Sequence, residues 1–96
     1  MAETLEMEEI IDRVAEHEGW EQEGAWLTKA FEFEDFSAAI DFVDDVAAVA
    51  EELDHHPHIV VRDHDEVVLS ITSHDAGGLT ETDFTFVDRV EALRSG

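Results

Sequence analysis

The histidines are the side chains of this 96-residue chain best suited to chemistry, and their spacing is uneven. Three of the six, His55, His56 and His58, lie within four positions around the only proline, Pro57. Another, His74, follows an apolar run that predicts a strand. Because imidazole exchanges protons near neutral pH, histidines at the ends of rigid elements can serve as general acids and bases. The first hypothesis is therefore an acid–base site, and the alternative is a set of solvated side chains in an acidic chain.

A metal site is the rival interpretation of the same histidines. Neighbouring residues on a helix point about 100° apart, so His55 and His56 would be poorly placed there to bind one ion together. His56 and His58 could present two nitrogens on one side of an extended segment, but no further ligands have a zinc-like spacing. The chain also has no cysteine, which excludes thiolate ligands and disulfides. We therefore expect no bound metal.

A carboxylate in the last predicted helix is the second indication of a site. Asp83 lies on the helical track of Leu79, Phe86 and Val87, so its side chain is expected to face inward. An inward carboxylate is costly unless it has a partner, and a histidine would suit. The alternative role for Asp83 is to close a capping box with Thr80 at the start of that helix. Both roles stay open at this point.

Hydrophobic periodicity predicts seven elements in the order α-β-β-α-β-β-α. The first half is expected to contain a helix over Thr4–His17, one strand over Trp20–Glu23 and another from Gly24. A long helix capped by Asp35 or Ser37 should follow and end before Pro57. The second half should contain a hairpin of Ile59–Arg62 and Val67–Thr72 and a last helix after Thr80, whose inward residues are Phe86, Val87, Val90 and Leu93. This order predicts a single α+β domain over residues 1–96, with three helices packed on one face of a four-stranded antiparallel sheet.

The long helix carries more apolar surface than one sheet can cover. Its polar stripe is narrow, and apolar side chains from Phe36 to Leu53 occupy well over half of its circumference. A domain of this size also buries only a modest fraction of its surface by itself. We therefore expect a homodimer or homotetramer.

The charge of the chain restricts its partners. Its 26 acidic residues face only 5 lysines and arginines, a formal net charge of −21. Nucleic acids and anionic membranes need a basic face, so we expect neither as a partner. The acidic residues are dispersed from Glu3 to Glu91, which favours a surface adapted to concentrated salt over a clustered polyanion mimic. The segment MAETLEMEE has no signal-peptide character, and no apolar run approaches membrane-spanning length. A cytoplasmic location is expected.

The chain contains two polar motifs. The first is Glu51-Glu52-Leu53-Asp54-His55-His56-Pro57, and the second is Thr72-Ser73-His74-Asp75-Ala76-Gly77-Gly78-Leu79-Thr80, followed by Asp83. At this separation the two motifs resemble the pterin-4a-carbinolamine dehydratase family, also called the dimerization cofactor family. The segment Phe31-Glu32-Phe33-Glu34-Asp35-Phe36 resembles the family's strand-to-helix passage, and Trp20 falls near its early tryptophan. The resemblance covers nearly the whole chain, and the family fold has the element order predicted above.

The resemblance implies dehydration of 4a-hydroxytetrahydrobiopterin to quinonoid dihydropterin, in tetrahydrobiopterin recycling, without a metal or bound cofactor. It makes His55, His56 and His74 the catalytic residues. Residues in or near the pterin pocket would be Glu51, Asp54, Pro57, Thr72, Ser73 and Asp83. Ile59 stands where animal members commonly have an aromatic residue, and Ala76 stands where some members have a cysteine.

Two other functions stay open from the sequence. The same fold can serve as a non-catalytic acidic interaction domain, and turnover of a carbinolamine pterin separates that function from catalysis. A histidine-rich metal chaperone is the other, and it would retain stoichiometric metal after purification without an affinity tag.

Overall fold

The computed structural model describes residues 3–95 and confirms the predicted α+β fold and element order. The elements are α1 (Met7–Ala15), β1 (Glu21–Glu23), β2 (Trp26–Glu32), α2 (Phe36–Leu53), β3 (His58–Arg62), β4 (Glu66–Ile71) and α3 (Glu81–Ser95). A single 3₁₀ turn, His74–Ala76, lies between β4 and α3. Among the described residues, no helix combines the length and the apolar character that crossing a membrane requires.

The four strands form one antiparallel sheet in the order β1-β2-β4-β3. Leu27 of β2 pairs with Ile71 of β4, and His58 of β3 pairs with Ser70 of β4. The end of β4 therefore lies between the start of β2 and the start of β3. Residues that follow β4 emerge at the same end of the sheet as Trp26 and His58.

Alternation along the strands decides which face of the sheet is covered. Leu27 and Phe31 of β2 are buried, as are Val67, Leu69 and Ile71 of β4. Because alternate residues of a strand point to one face, these side chains form a continuous apolar surface. The buried side chains of α2 and α3 pack on that surface, and Ile10 of α1 joins the same core.

Two details of the helices differ from the sequence predictions. The first helix is shorter than Thr4–His17, because Thr4 forms a β-bridge with Thr80 and the amide of Leu5 donates to the carbonyl of Leu79. Leu93 was predicted to face inward but is 38% exposed, and its neighbours Ala92 and Arg94 in the last turn of α3 are exposed as well, whereas Val90 is buried.

Local hydrogen bonds fix both ends of α2. The carboxylate of Asp35 accepts from the amide of Ala38 at 2.8 Å, which confirms the first of the two predicted caps. At the other end Asp54 adopts a left-handed conformation, with φ 51° and ψ 46°. This conformation turns the chain back, so that the amide of His55 donates to the carbonyl of Ala50 at 3.0 Å. The helix thus ends at Leu53, before the proline as predicted.

His17 joins the end of α1 to α3 as a charged imidazole. Its Nδ1 lies 2.6 Å from the carbonyl oxygen of Arg13, and its Nε2 lies 2.7 Å from Oδ1 of Asp88. Both partners are acceptors, so both ring nitrogens carry protons. Burial lowers the pKa of His17, but the hydrogen bonds to Arg13 and Asp88 outweigh burial and raise the pKa above 6.5.

The charged His17 makes stability depend on pH. Since its folded-state pKa is raised, its contribution is complete below the unfolded-state pKa of 6.5 and is lost as the pH rises through the folded-state pKa. We predict that His17→Ala lowers the free energy of unfolding by about 1 kcal/mol at pH 6. The loss should be smaller at pH 9, as measured by thermal unfolding of both proteins at each pH.

The control is His64→Asn, which replaces an exposed histidine in the β3–β4 turn. His64 has φ 58°, and asparagine tolerates this left-handed conformation. As a substitution at an exposed position, His64→Asn should change the free energy of unfolding by less than about 0.5 kcal/mol. An equal loss for His17→Ala at pH 6 and pH 9 would contradict the charged interaction.

Candidate active site

A cavity of about 450 Å³ opens where three segments of the chain meet. These segments are the carboxyl end of α2, the stretch that follows β4, and the amino end of α3. The cavity is lined by Leu53, Asp54, His55, His56, Thr72, Ser73, His74, Asp75, Ala76, Thr80 and Thr82. It thus contains all three histidines that sequence analysis proposed as catalytic.

The carboxylate of Asp83 connects the three segments behind this cavity. Asp83 is 0% exposed. Its Oδ2 accepts from the Ser73 hydroxyl at 2.7 Å and from the Thr80 amide at 2.8 Å, and its Oδ1 lies 2.6 Å from Nε2 of His55. Asp83 therefore both closes the capping box of α3 and holds a histidine. The two roles considered for it from the sequence are compatible.

His55 reaches Asp83 because α2 ends in the left-handed Asp54. The turn places His55 outside the helix, which differs from the helical geometry assumed in the sequence argument about metals. Since the carboxylate accepts, Nε2 of His55 donates. The Ser73 hydroxyl lies 3.4 Å from the same nitrogen. Among residues 3–95, Nδ1 of His55 has no hydrogen-bond partner, so this nitrogen remains for a ligand.

His56 is held by a carboxylate of its own. Its Nε2 lies 2.5 Å from Oε2 of Glu51 in the last turn of α2, and both side chains are exposed. As in His55, Nε2 of His56 therefore carries a proton and donates a hydrogen bond to the carboxylate. The other ring nitrogen of His56 is the one that can exchange a proton with a bound molecule.

Thr72 and Ser73 fix the segment that leaves β4. The hydroxyl of Thr72 donates to the carbonyl of Ala25, which anchors the segment to the start of β2. The hydroxyl of Ser73 lies 2.9 Å from that of Thr80 and donates to Asp83. Both residues are buried, and their hydrogen bonds hold the start of the 3₁₀ turn beside the cavity.

His74 differs from the other two histidines because its ring has no hydrogen bond to any residue that the structure describes. Its recorded side-chain contact is with the indole of Trp26, with ring centroids 5.3 Å apart and planes at 78°. Trp26 also contacts the ring of His58, at 4.6 Å between centroids. Sequence analysis did not assign Trp26 to the site.

Six of the nine predicted site residues line the cavity: Asp54, His55, His56, Thr72, Ser73 and His74. The other three lie outside its wall. Asp83 is behind His55, Glu51 supports His56, and Pro57 leads from His56 into β3.

Sequence analysis left Thr80 and Thr82 out of the cavity wall. The capping box of Thr80 and Asp83 was the signal that could have placed them there, because it orients the first turn of α3. Within residues 3–95, no group of three or more histidine or acidic side chains is arranged to hold a metal ion.

Comparison with known proteins points to one family. Residues 3–93 match the model of the family described as pterin 4 alpha carbinolamine dehydratase. Two relatives are provisionally named pterin-4-alpha-carbinolamine dehydratases. The protein from Roseiflexus sp. is 41% identical over 97% of this chain and 99% of its own length. The protein from Sulfolobus acidocaldarius is 37% identical over 94% of this chain and 98% of its own length.

Two solved structures are also similar. A transcriptional coactivator/pterin dehydratase from Brucella melitensis has a TM-score of 0.87 and 29% identity, over 94% of this chain and 97% of that one. A pterin dehydratase-like protein described as a RuBisCO assembly factor in the alpha-carboxysome has a TM-score of 0.66 and 30% identity. That match covers 80% of this chain and 90% of the other.

The Asp83 network predicts a large effect on stability. Asp83→Ala would leave the Ser73 hydroxyl and the Thr80 amide without their acceptor in the interior, and would remove the cap of α3. We expect a loss of about 3 kcal/mol in the free energy of unfolding. Thermal unfolding should show a fall in Tm of roughly 10 °C or more.

Thr85→Ala is the control, two residues further along α3 on its exposed face. The exposed hydroxyl of Thr85 donates to the carbonyl of Glu81, and its loss should change stability by less than about 1 kcal/mol. If Asp83→Ala unfolded at the same temperature as this control, Asp83 would not connect the three segments.

Proposed function

Because the chain belongs to the pterin 4 alpha carbinolamine dehydratase family, we propose that it dehydrates 4a-hydroxytetrahydrobiopterin to quinonoid dihydropterin in tetrahydrobiopterin recycling. One observation carries the proposal beyond the family. His55, His56 and His74 line one cavity, and each retains a ring nitrogen that can exchange a proton with a ligand. An acid–base dehydration needs side chains that can donate a proton to the substrate and accept one from it.

The reaction needs two proton movements and no change of oxidation state. The bond between C4a and its hydroxyl oxygen breaks, and the oxygen leaves as water after it receives a proton. N5 of the pterin loses its proton, and the electron pair of that N–H bond forms the double bond between N5 and C4a. One side chain that donates a proton to the bound pterin and one that accepts a proton from it are sufficient.

The three histidines divide these roles. His55 and His56 each offer Nδ1, because Nε2 of each donates to a carboxylate. Asp83 and Glu51 therefore act through the histidines that they orient. His74 offers either nitrogen, since neither has a hydrogen-bond partner among the described residues.

The remaining predicted residues suit binding of the pterin. The ring carries N–H and amino donors, for which the Asp54 carboxylate on the cavity wall is a suitable acceptor. Thr72 and Ser73 also line the wall, and Pro57 leads the chain from His56 into β3. These binding roles are part of the proposal.

A non-catalytic interaction domain is the alternative function. It is favoured by the similar fold of the dehydratase-like protein described as a RuBisCO assembly factor. Such a role would not require the histidines to face one cavity or Asp83 to be buried beneath them. The site geometry therefore supports catalysis better, and turnover of the carbinolamine distinguishes the two functions.

We expect His56→Ala and His74→Ala each to lower the dehydration rate while leaving the fold intact. Loss of a positioned acid or base typically lowers a rate about 10²- to 10⁴-fold, although overlapping roles among the histidines reduce the effect of one change. The double variant should therefore lose more than either single one. The measurement is turnover of the carbinolamine above the buffer rate in high salt.

His64→Asn is the control, because His64 lies in the exposed turn at the other end of β3. It should turn over the carbinolamine at the unaltered rate. Unaltered turnover by the His56/His74 double variant would make histidine catalysis wrong and favour the interaction domain.

We also propose that the protein acts in the cytoplasm as a homodimer or homotetramer in concentrated salt. Its bases are all engaged internally: Arg13, Lys29, Arg62 and Arg89 pair with carboxylates, and Arg94 lies 4.6 Å above the ring of Phe33. Most of the 26 acids therefore remain to repel one another unless salt screens them. Phe36 of α2 is 54% exposed, and a second copy could cover such apolar surface.

Light scattering across a salt series tests this assembly. We predict a mass of two or four chains of 10.8 kDa in molar potassium chloride, and dissociation or unfolding in millimolar buffer. Circular dichroism on the same samples separates dissociation from unfolding. A folded monomer at every salt concentration would contradict both the oligomer and the salt adaptation.

A further inference from the structure

We infer that Trp26 is the positioning residue for His74 in the proposed dehydration. The inference rests on the proposed function, and it starts from an asymmetry among the three cavity histidines. Asp83 holds His55, and Glu51 holds His56. The ring of His74 has no hydrogen-bond partner among residues 3–95 and instead packs against the indole of Trp26.

The contact between the two rings has a favourable geometry. The centroids of Trp26 and His74 lie 5.3 Å apart with the planes at 78°, which is an edge-to-face arrangement. Aromatic pairs at this separation attract one another beyond the effect of buried area. An imidazole held in this way keeps both nitrogens for a ligand, whereas a hydrogen bond would commit one of them.

The indole is itself supported from the sheet. Trp26 is the first residue of β2 and is half-buried. The ring of His58, at the start of β3, lies 4.6 Å from the indole. The three rings therefore form a row from the edge strand to the mouth of the cavity, with Trp26 in the middle. This row supports the exposed ring of His74, whose own 3₁₀ turn has only three residues.

The experiment compares Trp26→Ala, Trp26→Phe and His74→Ala by steady-state kinetics in high salt. Trp26→Ala should lower kcat about tenfold, since a displaced catalytic group can cost up to about 10²-fold. KM should change less than about twofold, because Trp26 does not line the cavity. Trp26→Phe keeps an aromatic edge and should retain kcat within about threefold.

A double-mutant cycle shows whether Trp26 acts through His74. In the His74→Ala background, Trp26→Ala should cause no further loss of kcat. A further loss of the same size would overturn the inference, as would an unchanged kcat in the single variant. His64→Asn is the control for loss of an exposed ring, because His64 lies in the β3–β4 turn and the site lies at the other end of β3. It should leave kcat unchanged.

Proton NMR of the imidazole decides the matter separately from activity. The indole should shift the ring resonances of His74, which are identified by their loss in His74→Ala. Trp26→Ala should move these resonances and His64→Asn should not. If the unaltered protein failed to turn over the carbinolamine, the proposed function would fall, and the NMR result would still show whether Trp26 holds His74. Resonances that do not move in Trp26→Ala would overturn the positioning role.

Discussion

The carboxylate of Asp83 lies in the interior and can remain there because donors from separate segments surround it. The Ser73 hydroxyl comes from the end of β4, the Thr80 amide from the start of α3, and the His55 ring from the end of α2. A buried carboxylate without such donors is strongly unfavourable. The fold therefore favours only arrangements in which the three segments meet. The cavity is formed by the same meeting, so the stability of the core and the shape of the site have a common origin.

Convergence on Asp83 depends on how α2 ends. A helix that continued through Asp54 would carry His55 around its axis, and the left-handed conformation of Asp54 instead turns the chain toward α3. Pro57 contributes by disfavouring helical geometry in the residue ahead of it. The stop, the turn and the proline together place two consecutive histidines against two different carboxylates, Asp83 and Glu51. The helix α2 and the short irregular segment that follows it thus position His55 and His56 together.

Much of the fold could be predicted because its signals are local. The alternation of Leu27 and Phe31 indicates a half-buried strand, and Asp35 before an apolar run indicates a helix start. The site was predictable only in part. Nothing in the sequence specifies that Asp54 adopts a left-handed conformation, so the distance from His55 to Asp83 could not be derived. The contact of Trp26 with His74 was missed for a similar reason: periodicity shows which face of a strand a residue occupies, and not which neighbour it touches across the sheet.

The histidines themselves show why proximity to a carboxylate is a poor sign of chemistry in so acidic a chain. His17 pairs with Asp88 as closely as His55 pairs with Asp83, at 2.7 and 2.6 Å. However, the Arg13 carbonyl occupies the second nitrogen of His17, so that this ring has no site left for exchange with a ligand. Within residues 3–95, His55 and His56 each have one ring nitrogen in a hydrogen bond to a carboxylate and one without a partner, and neither ring nitrogen of His74 has a partner. Among the described residues, the number of ring nitrogens without a hydrogen-bond partner therefore separates the structural cation His17 from the histidines for which we propose acid–base catalysis.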